Sequence, residues 1–275
     1  MVTQEQRKRQ LAREKFLRQQ QRRTSARRKA RMRNSVIASV LGVIVIGSVA
    51  LYTTGVMKGN DDKSNASADV TPTPSASATK KAPDPCAKPA AGKIKTETWK
   101  KEPAVTIDKS AKYTMKLATT CGDIDIALKT SAAPHTVNSF SFLAGKGFFD
   151  HTKCHRLTTN GIYVLQCGDP TGAGSGGPGY TIPDENLKDT SLKGGVYPAG
   201  TVAMANTGQK HTGGSQFFLV YKDSQLPASY TPFGTISASG MKVLQKIAAA
   251  GESTGAGDGA PNATVVINKA TVTRS

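Results

Sequence analysis

An antiparallel α+β or barrel domain, carried outside a membrane by one apolar helix, is the fold class this sequence predicts. Three observations lead there. Residues 36–57, VIASVLGVIVIGSVALYTTGVM, contain no charged side chain. Several segments after residue 111 alternate apolar and polar residues with the period of two that marks strands. Only two later segments, 131–149 and 241–251, have helical spacing, and blocks of strand separate them, which argues against βαβ units.

The first 33 residues hold 13 Lys and Arg against Glu5 and Glu14, which is +11 of the chain's +18. The high pI therefore describes a tail and not a nucleic-acid-binding domain. Next come 22 uncharged residues. At about 1.5 Å rise each, they cross a hydrocarbon core of roughly 30 Å. The run is apolar on every face, unlike the amphipathic stripe of a surface helix. Its exit, VALYTTGVMKGN, has no A-x-A-like cleavage site and no Cys for a lipid anchor. Positive charge on the N-terminal side places residues 1–35 in the cytoplasm as a basic tail. Residues 36–57 are then a single-pass signal anchor in the cell membrane, and the C-terminal part is extracytoplasmic. No aromatic platform accompanies the tail's charge, so anionic lipid headgroups are its expected partner, with no specific nucleic acid. Ribosome or RNA contact by residues 1–33 is the rival reading of the tail.

Residues 58–103 are rich in Ser, Pro, Ala, Thr and Lys and cannot bury a core, so they read as a flexible linker. Trp99, the only Trp, marks where that linker docks onto the domain. All four cysteines, Cys86, Cys121, Cys154 and Cys167, fall on the outer side, where disulfides persist. Counting does not choose among their three pairings.

Residues 104–275 form one domain. YTMKLAT (113–119) and DIDIAL (123–128) are strands joined by TTCGD as a hairpin turn. SAAPHTVNSFSFLAGKGFF (131–149) is helical, with Pro134 in the first turn, Val137, Phe140 and Leu143 on one face, and Gly145 at its end. GTVAMAN (200–206) and GSQFFLVY (214–221) are strands. MKVLQKIAAAG (241–251) is a helix with Leu244, Ile247 and Ala248 inward, and ATVVINKATVT closes the chain as a strand. If 154–158 and 163–168 form a hairpin across TTNG, Cys154 and Cys167 become neighbours. A Cys154–Cys167 disulfide is then the simplest reading, with Cys86 and Cys121 left to tie the linker to the domain.

Several reactive-looking motifs fail on physical grounds. Gly172, Gly174 and Gly177 match G-x-G-x-x-G, yet run into Pro178-Gly179-Tyr180 and cannot open a helix onto a pyrophosphate. Cys154 and His155 are adjacent in a strand, so they face opposite ways and cannot share one zinc with His151 and Cys167. Ser215 lacks the strand–turn–helix setting of an activated nucleophile. What remains is Arg156 among the uncharged hydrogen-bonding residues Gln166, Asn206 and Gln216, interleaved with Tyr163, Phe217, Phe218 and Phe233. That set is poor at hydrolysis. It suits an apolar, amide-bearing ligand with one cation to polarise it.

The runs GDIDIALKTSAAPHTVNSFSFLAGKGFFDHTKCHRL, VLQCGDPTGAGSGGPGYTIPDEN, GTVAMANTG, GGSQFFLVY and YTPFGTI resemble the cyclophilin-type peptidyl-prolyl isomerases across nearly all of residues 111–273. The resemblance implies an eight-stranded antiparallel barrel capped by two helices. It implies catalysis by Arg156, Gln166 and Phe218, with Tyr163, Val164, Ala205, Asn206, Gln216, Leu226 and Tyr230 binding the substrate. That substrate is a proline-containing segment of an unfolded or secreted protein, and neither cofactor nor metal takes part. Two extra residues lengthen the 156–166 hairpin, Gln225 stands where many relatives have a Trp, and Tyr230 where a His often lies. These departures imply weak cyclosporin binding and a shifted substrate choice. A proline-peptide-binding chaperone or scaffold with little turnover is the rival from another class.

Overall fold

Alternation becomes strand in the computed structural model, which describes residues 83–274. The basic tail, the charge-free run 36–57 and the linker as far as residue 82 lie outside the described residues. In chain order the first elements are β1 (Tyr113–Thr119), β2 (Gly122–Leu128), α1 (Pro134–Gly145), β3 (Thr152–Lys153), β4 (Arg156–Thr158) and β5 (Val164–Cys167). They are followed by β6 (Val196–Tyr197), β7 (Thr201–Met204), β8 (Phe217–Val220), β9 (Ser224–Gln225), β10 (Pro232–Ile236), α2 (Ala238–Ala249), β11 (Asp258–Gly259) and β12 (Val266–Arg274).

Ten strands make one sheet in the order β11-β4-β5-β8-β7-β10-β2-β1-β12-β3, and every pairing in it is antiparallel. The expected barrel is thus a mainly β half-barrel with two helices. The run 152–158 reaches both sides of its opening. Thr152 and Lys153 pair with β12, while Arg156 and Leu157 pair with β5.

Period-two burial explains why these segments are strands. Met115, Leu117, Ile124, Ile126 and Leu128 enter the main core, and the polar residues between them face out. Helix α1 starts at Pro134, whose missing N–H costs nothing in a first turn. Glu185 supplies its cap from a distant loop, accepting from the backbone N–H of His135 at 3.0 Å and of Thr136 at 2.9 Å. Its apolar face delivers Phe140 into a ring cluster with Phe149, Phe217 and Phe233, at centroid distances of 5.2, 5.4 and 4.6 Å. Ser237 caps α2 by accepting from Gly240 N–H, and Leu244 and Ile247 are its buried residues, with Ala248 only half-buried.

Three central strands carry apolar residues on both faces. From β7 and β8, Val202, Met204, Phe217 and Leu219 point into the main core. Ala203, Phe218 and Val220, in between, join Val164 and Tyr197 in a second cluster on the other side of the sheet. That second, outer cluster is the base of the site described below.

Both cysteine pairs of the hairpin reading are formed, Cys86–Cys121 and Cys154–Cys167. The linker boundary needs correction, because residues 83–103 are laid onto the domain as a strap. Asp84 accepts from Thr264 N–H at 2.9 Å, Ala87 N–H donates to Thr120 O at 2.8 Å, and Ala90 N–H donates to Asn268 Oδ1 at 3.0 Å. Trp99 sets its ring edge-on against Phe142, 5.0 Å between centroids, and its backbone N–H donates to Pro178 O. Composition correctly says the strap has no core of its own. It is ordered by partners on the domain, a disulfide first among them.

Replacing Cys86 and Cys121 together by Ala should free the strap. For a sequence separation of 35 residues the loop-closure argument gives a loss of about 3–4 kcal/mol. Urea unfolding should show the lower midpoint, and the fluorescence of Trp99, the sole Trp, should shift red in the folded variant.

Candidate functional site

The site is built on a single row across three strands. Pairing sets Arg156 of β4 opposite Gln166 of β5, and Gln166 opposite Phe218 of β8. Because side chains alternate, all three emerge on the outer face while Leu157, Leu165 and Phe217 go into the core. Arg156 Nη1 donates to Gln166 Oε1 at 3.2 Å, and Gln166 Nε2 donates to Gln216 Oε1 at 2.9 Å. Gln216 Nε2 then donates to Gly176 O at 2.9 Å, so one chain of hydrogen bonds runs from the arginine to the glycine-rich loop.

A residue that sequence reasoning missed completes the row. Asp258 of β11 takes Arg156 Nε at 2.7 Å and Nη2 at 2.8 Å in a bidentate fork. The fork fixes the guanidinium plane, and the hydrogen bond to Asp258 raises the already high pKa of Arg156. The cation is therefore permanent and oriented. Behind it His155 is held below its usual pKa, first by burial, and its two ring nitrogens have no hydrogen-bond partner. The ring is neutral near pH 7 and leaves Arg156 as the site's cation.

Phe218 is the pocket floor, 5% exposed, with Tyr230 edge-on to it at 5.4 Å and 82°. Val164, Ala203 and Tyr197 surround Phe218, and Leu226, Ala205 and Ile162 pack at the margin. Tyr163 does not join them, although it was expected beside Val164. It packs on Tyr221 at 5.8 Å and carries the Lys222 ammonium over its ring at 4.5 Å. Neighbours in an extended chain face opposite sides, so Ile162 takes that place. Alternation within IYVLQ was the signal that could have found it.

Asn206 is anchored by Nδ2 donating to Ser229 O at 2.8 Å, and Ala205 N–H donates to Gln216 O at 2.9 Å. Both line an open groove of about 920 Å³ that continues from Gln166 and Gln216 between the glycine-rich loop and the strap. Asp169 pins that loop from beneath by accepting from Thr171 N–H at 2.7 Å and from Gly174 N–H. Gly168 is required beside Gln166, since its φ is +85° and an added Cβ would run into Ser215 O. Among the described residues, no group of three or more His, Cys, Asp or Glu is placed to hold a metal ion.

Fold and site together define a mainly β protein with an outer-face pocket for an apolar residue. Neutral amides flank that pocket for neighbouring peptide groups, with one fixed cation beside them. The chain belongs to the cyclophilin type peptidyl-prolyl cis-trans isomerase/CLD family, whose model matches residues 114–272. It is 48% identical over 195 residues to a probable peptidyl-prolyl cis-trans isomerase B of Mycobacterium leprae, covering 68% of this chain and 62% of that protein. The Mycobacterium tuberculosis H37Rv protein described in the same words is 45% identical, with 68% and 59% covered. The chain thus spans about three fifths of the length of these mycobacterial relatives. Peptidyl-prolyl cis-trans isomerase B of Bacillus subtilis is 40% identical over 125 residues, 45% of this chain and 82% of that one. In fold the chain is like the crystal structure of a Cryptosporidium parvum cyclophilin type isomerase, with TM-score 0.50 at 24% identity, covering 60% and 99%.

Stability should depend on pH through His155. In the unfolded chain an imidazole takes up a proton near pH 6.5, whereas the buried ring resists it down to its lower folded value. Stability is therefore complete above about pH 6.5 and falls as pH drops through that value. Urea midpoints measured from pH 7.5 to 5 should decline more steeply for the wild type than for His155→Leu.

Proposed function

We propose that the domain is a peptidyl-prolyl cis-trans isomerase acting on extracytoplasmic protein segments. The observation that carries the activity is the row Arg156–Gln166–Phe218, which sets an oriented guanidinium beside an apolar pocket floored by Phe218. The four cysteines, all paired, and the uncharged run after a basic tail support an outward-facing domain anchored by residues 36–57.

Rotation about an X-Pro bond meets a barrier of roughly 18–20 kcal/mol, because the nitrogen lone pair is delocalised into the carbonyl. No bond need break, so neither nucleophile nor general base is required. Phe218, Val164, Leu226 and Tyr230 hold the proline ring by apolar contact. Gln166 and Gln216 hold the flanking peptide groups, so that one side stays fixed while the other turns. A guanidinium has five N–H donors, and the contacts to Asp258 and Gln166 leave an N–H on Nη1 and one on Nη2 to aim at the ring nitrogen. A hydrogen bond there favours a localised, pyramidal lone pair, which exists only in the twisted state. The interaction is stronger in the transition state than in the ground state, and that difference is catalysis.

The test is proline exchange, by NMR or a protease-coupled assay, on the full chain. Arg156→Ala should lose about 10²–10³-fold in kcat/KM, the range set by removing one transition-state donor. Arg156→Lys should recover little, because an ammonium cannot donate a planar fork to Asp258 and face the substrate together. Phe218→Ala should act mainly through KM. Equal rates for the wild type and Arg156→Ala would leave a proline-binding chaperone as the better reading.

A further inference from the structure

The groove beyond Gln166 and Gln216 has two walls of different origin. One is the glycine-rich loop with residues 205–207, 212 and 214–216, and the other is Lys100, Lys101 and Glu102 of the strap. Three fixings bring the strap to this place. They are the Cys86–Cys121 bridge at its start, the Trp99 ring against Phe142 and Phe148, and the Trp99 backbone N–H to Pro178 O bond at 2.8 Å. Trp99 sits directly before the two lysines, so these are presented from an anchored residue.

The charges in the lining are unequal. Glu102, its one carboxylate, is committed to His135 Nδ1 at 2.7 Å. Lys100 and Lys101 are exposed and make no hydrogen bond or ion pair among the described residues. The opposite wall offers amides, hydroxyls and glycine backbone, with no charge of either sign. A peptide leaving the proline pocket past Gln216 enters this groove and passes two uncompensated ammonium groups.

We propose that the strap is a specificity element. Lys100 and Lys101 make the groove select proline segments bearing an acidic side chain within a few residues of the proline. The proposal rests on the isomerase reading and narrows its substrate class. Charges at a partly solvated rim act through a few ångströms of water-exposed space. The preference is therefore moderate, salt-sensitive and strongest in the binding step.

The experiment compares full-chain wild type with a Lys100→Glu/Lys101→Glu variant. The substrates are short proline peptides carrying Glu, Gln or Lys at each of the three positions on either side of the proline. At low salt the wild type should favour Glu over Lys by about 5–10-fold in kcat/KM at one or more positions, as expected of exposed charge pairs. The ratio should shrink at 0.5 M salt and invert in the variant. The basic tail is common to both proteins and cancels between them. A Glu/Lys ratio that is the same in both proteins overturns the proposal. Failure of the isomerase reading looks different, since no peptide then exchanges faster, Gln included. In that event Kd values for the Glu and Lys peptides, measured by NMR titration on both proteins, still decide whether the strap selects charge.

Discussion

Everything at the site depends on the register of β4 against β5 and of β5 against β8. Arg156, Gln166 and Phe218 share a row only because two antiparallel pairings agree. A slip of one residue would send Arg156 into the phenylalanine-lined core and bring Leu157 to the surface. The Cys154–Cys167 bridge sits beside this row, two residues before Arg156 and one after Gln166. It ties the chain before β4 to the end of β5, beside the Arg156–Gln166 pairing. Gly168 and Ser215 add a second restraint where the chain leaves β5.

The choice of uncharged partners around Arg156 follows from the same geometry. Gln166 and Gln216 each give and accept one hydrogen bond in the row, so their side chains are oriented without a second ionised group. A carboxylate in place of Gln166 would compete with the substrate for the guanidinium. Asp258 escapes that objection because it approaches from the edge strand β11 and engages Nε and Nη2. It holds the plane steady and leaves the Gln166 side of the cation facing the pocket.

Much of the framework could be read directly. Alternation in YTMKLAT and DIDIAL, Pro134 before an apolar helical face, and Gly145 at that helix's end each have a local cause, so local sequence reveals them. Arg156, Gln166 and Phe218 stood out through ordered motifs shared with a family. Asp258 did not, since its partner lies 102 residues away and nothing in AGDGAP signals the meeting. The strap was hidden for another reason. Its contacts are scattered backbone hydrogen bonds, single side chains such as Asp84 and Glu102, one ring and one disulfide, and none of these leaves a periodic trace in a Ser/Pro/Ala/Lys-rich segment. Tyr163 was misplaced by matching a motif position without applying the strand alternation that the neighbouring residues obey.

The two disulfides join cysteines that are consecutive in the chain, 86 with 121 and 154 with 167. A polypeptide made from its N-terminus outward thus offers each thiol its proper mate before the next thiol appears. Of the three ways to connect four cysteines, this one alone can be reached by oxidation in order of synthesis. Wherever the thiols are oxidised as they emerge, a molecule wired this way needs no reshuffling to reach its final bonds.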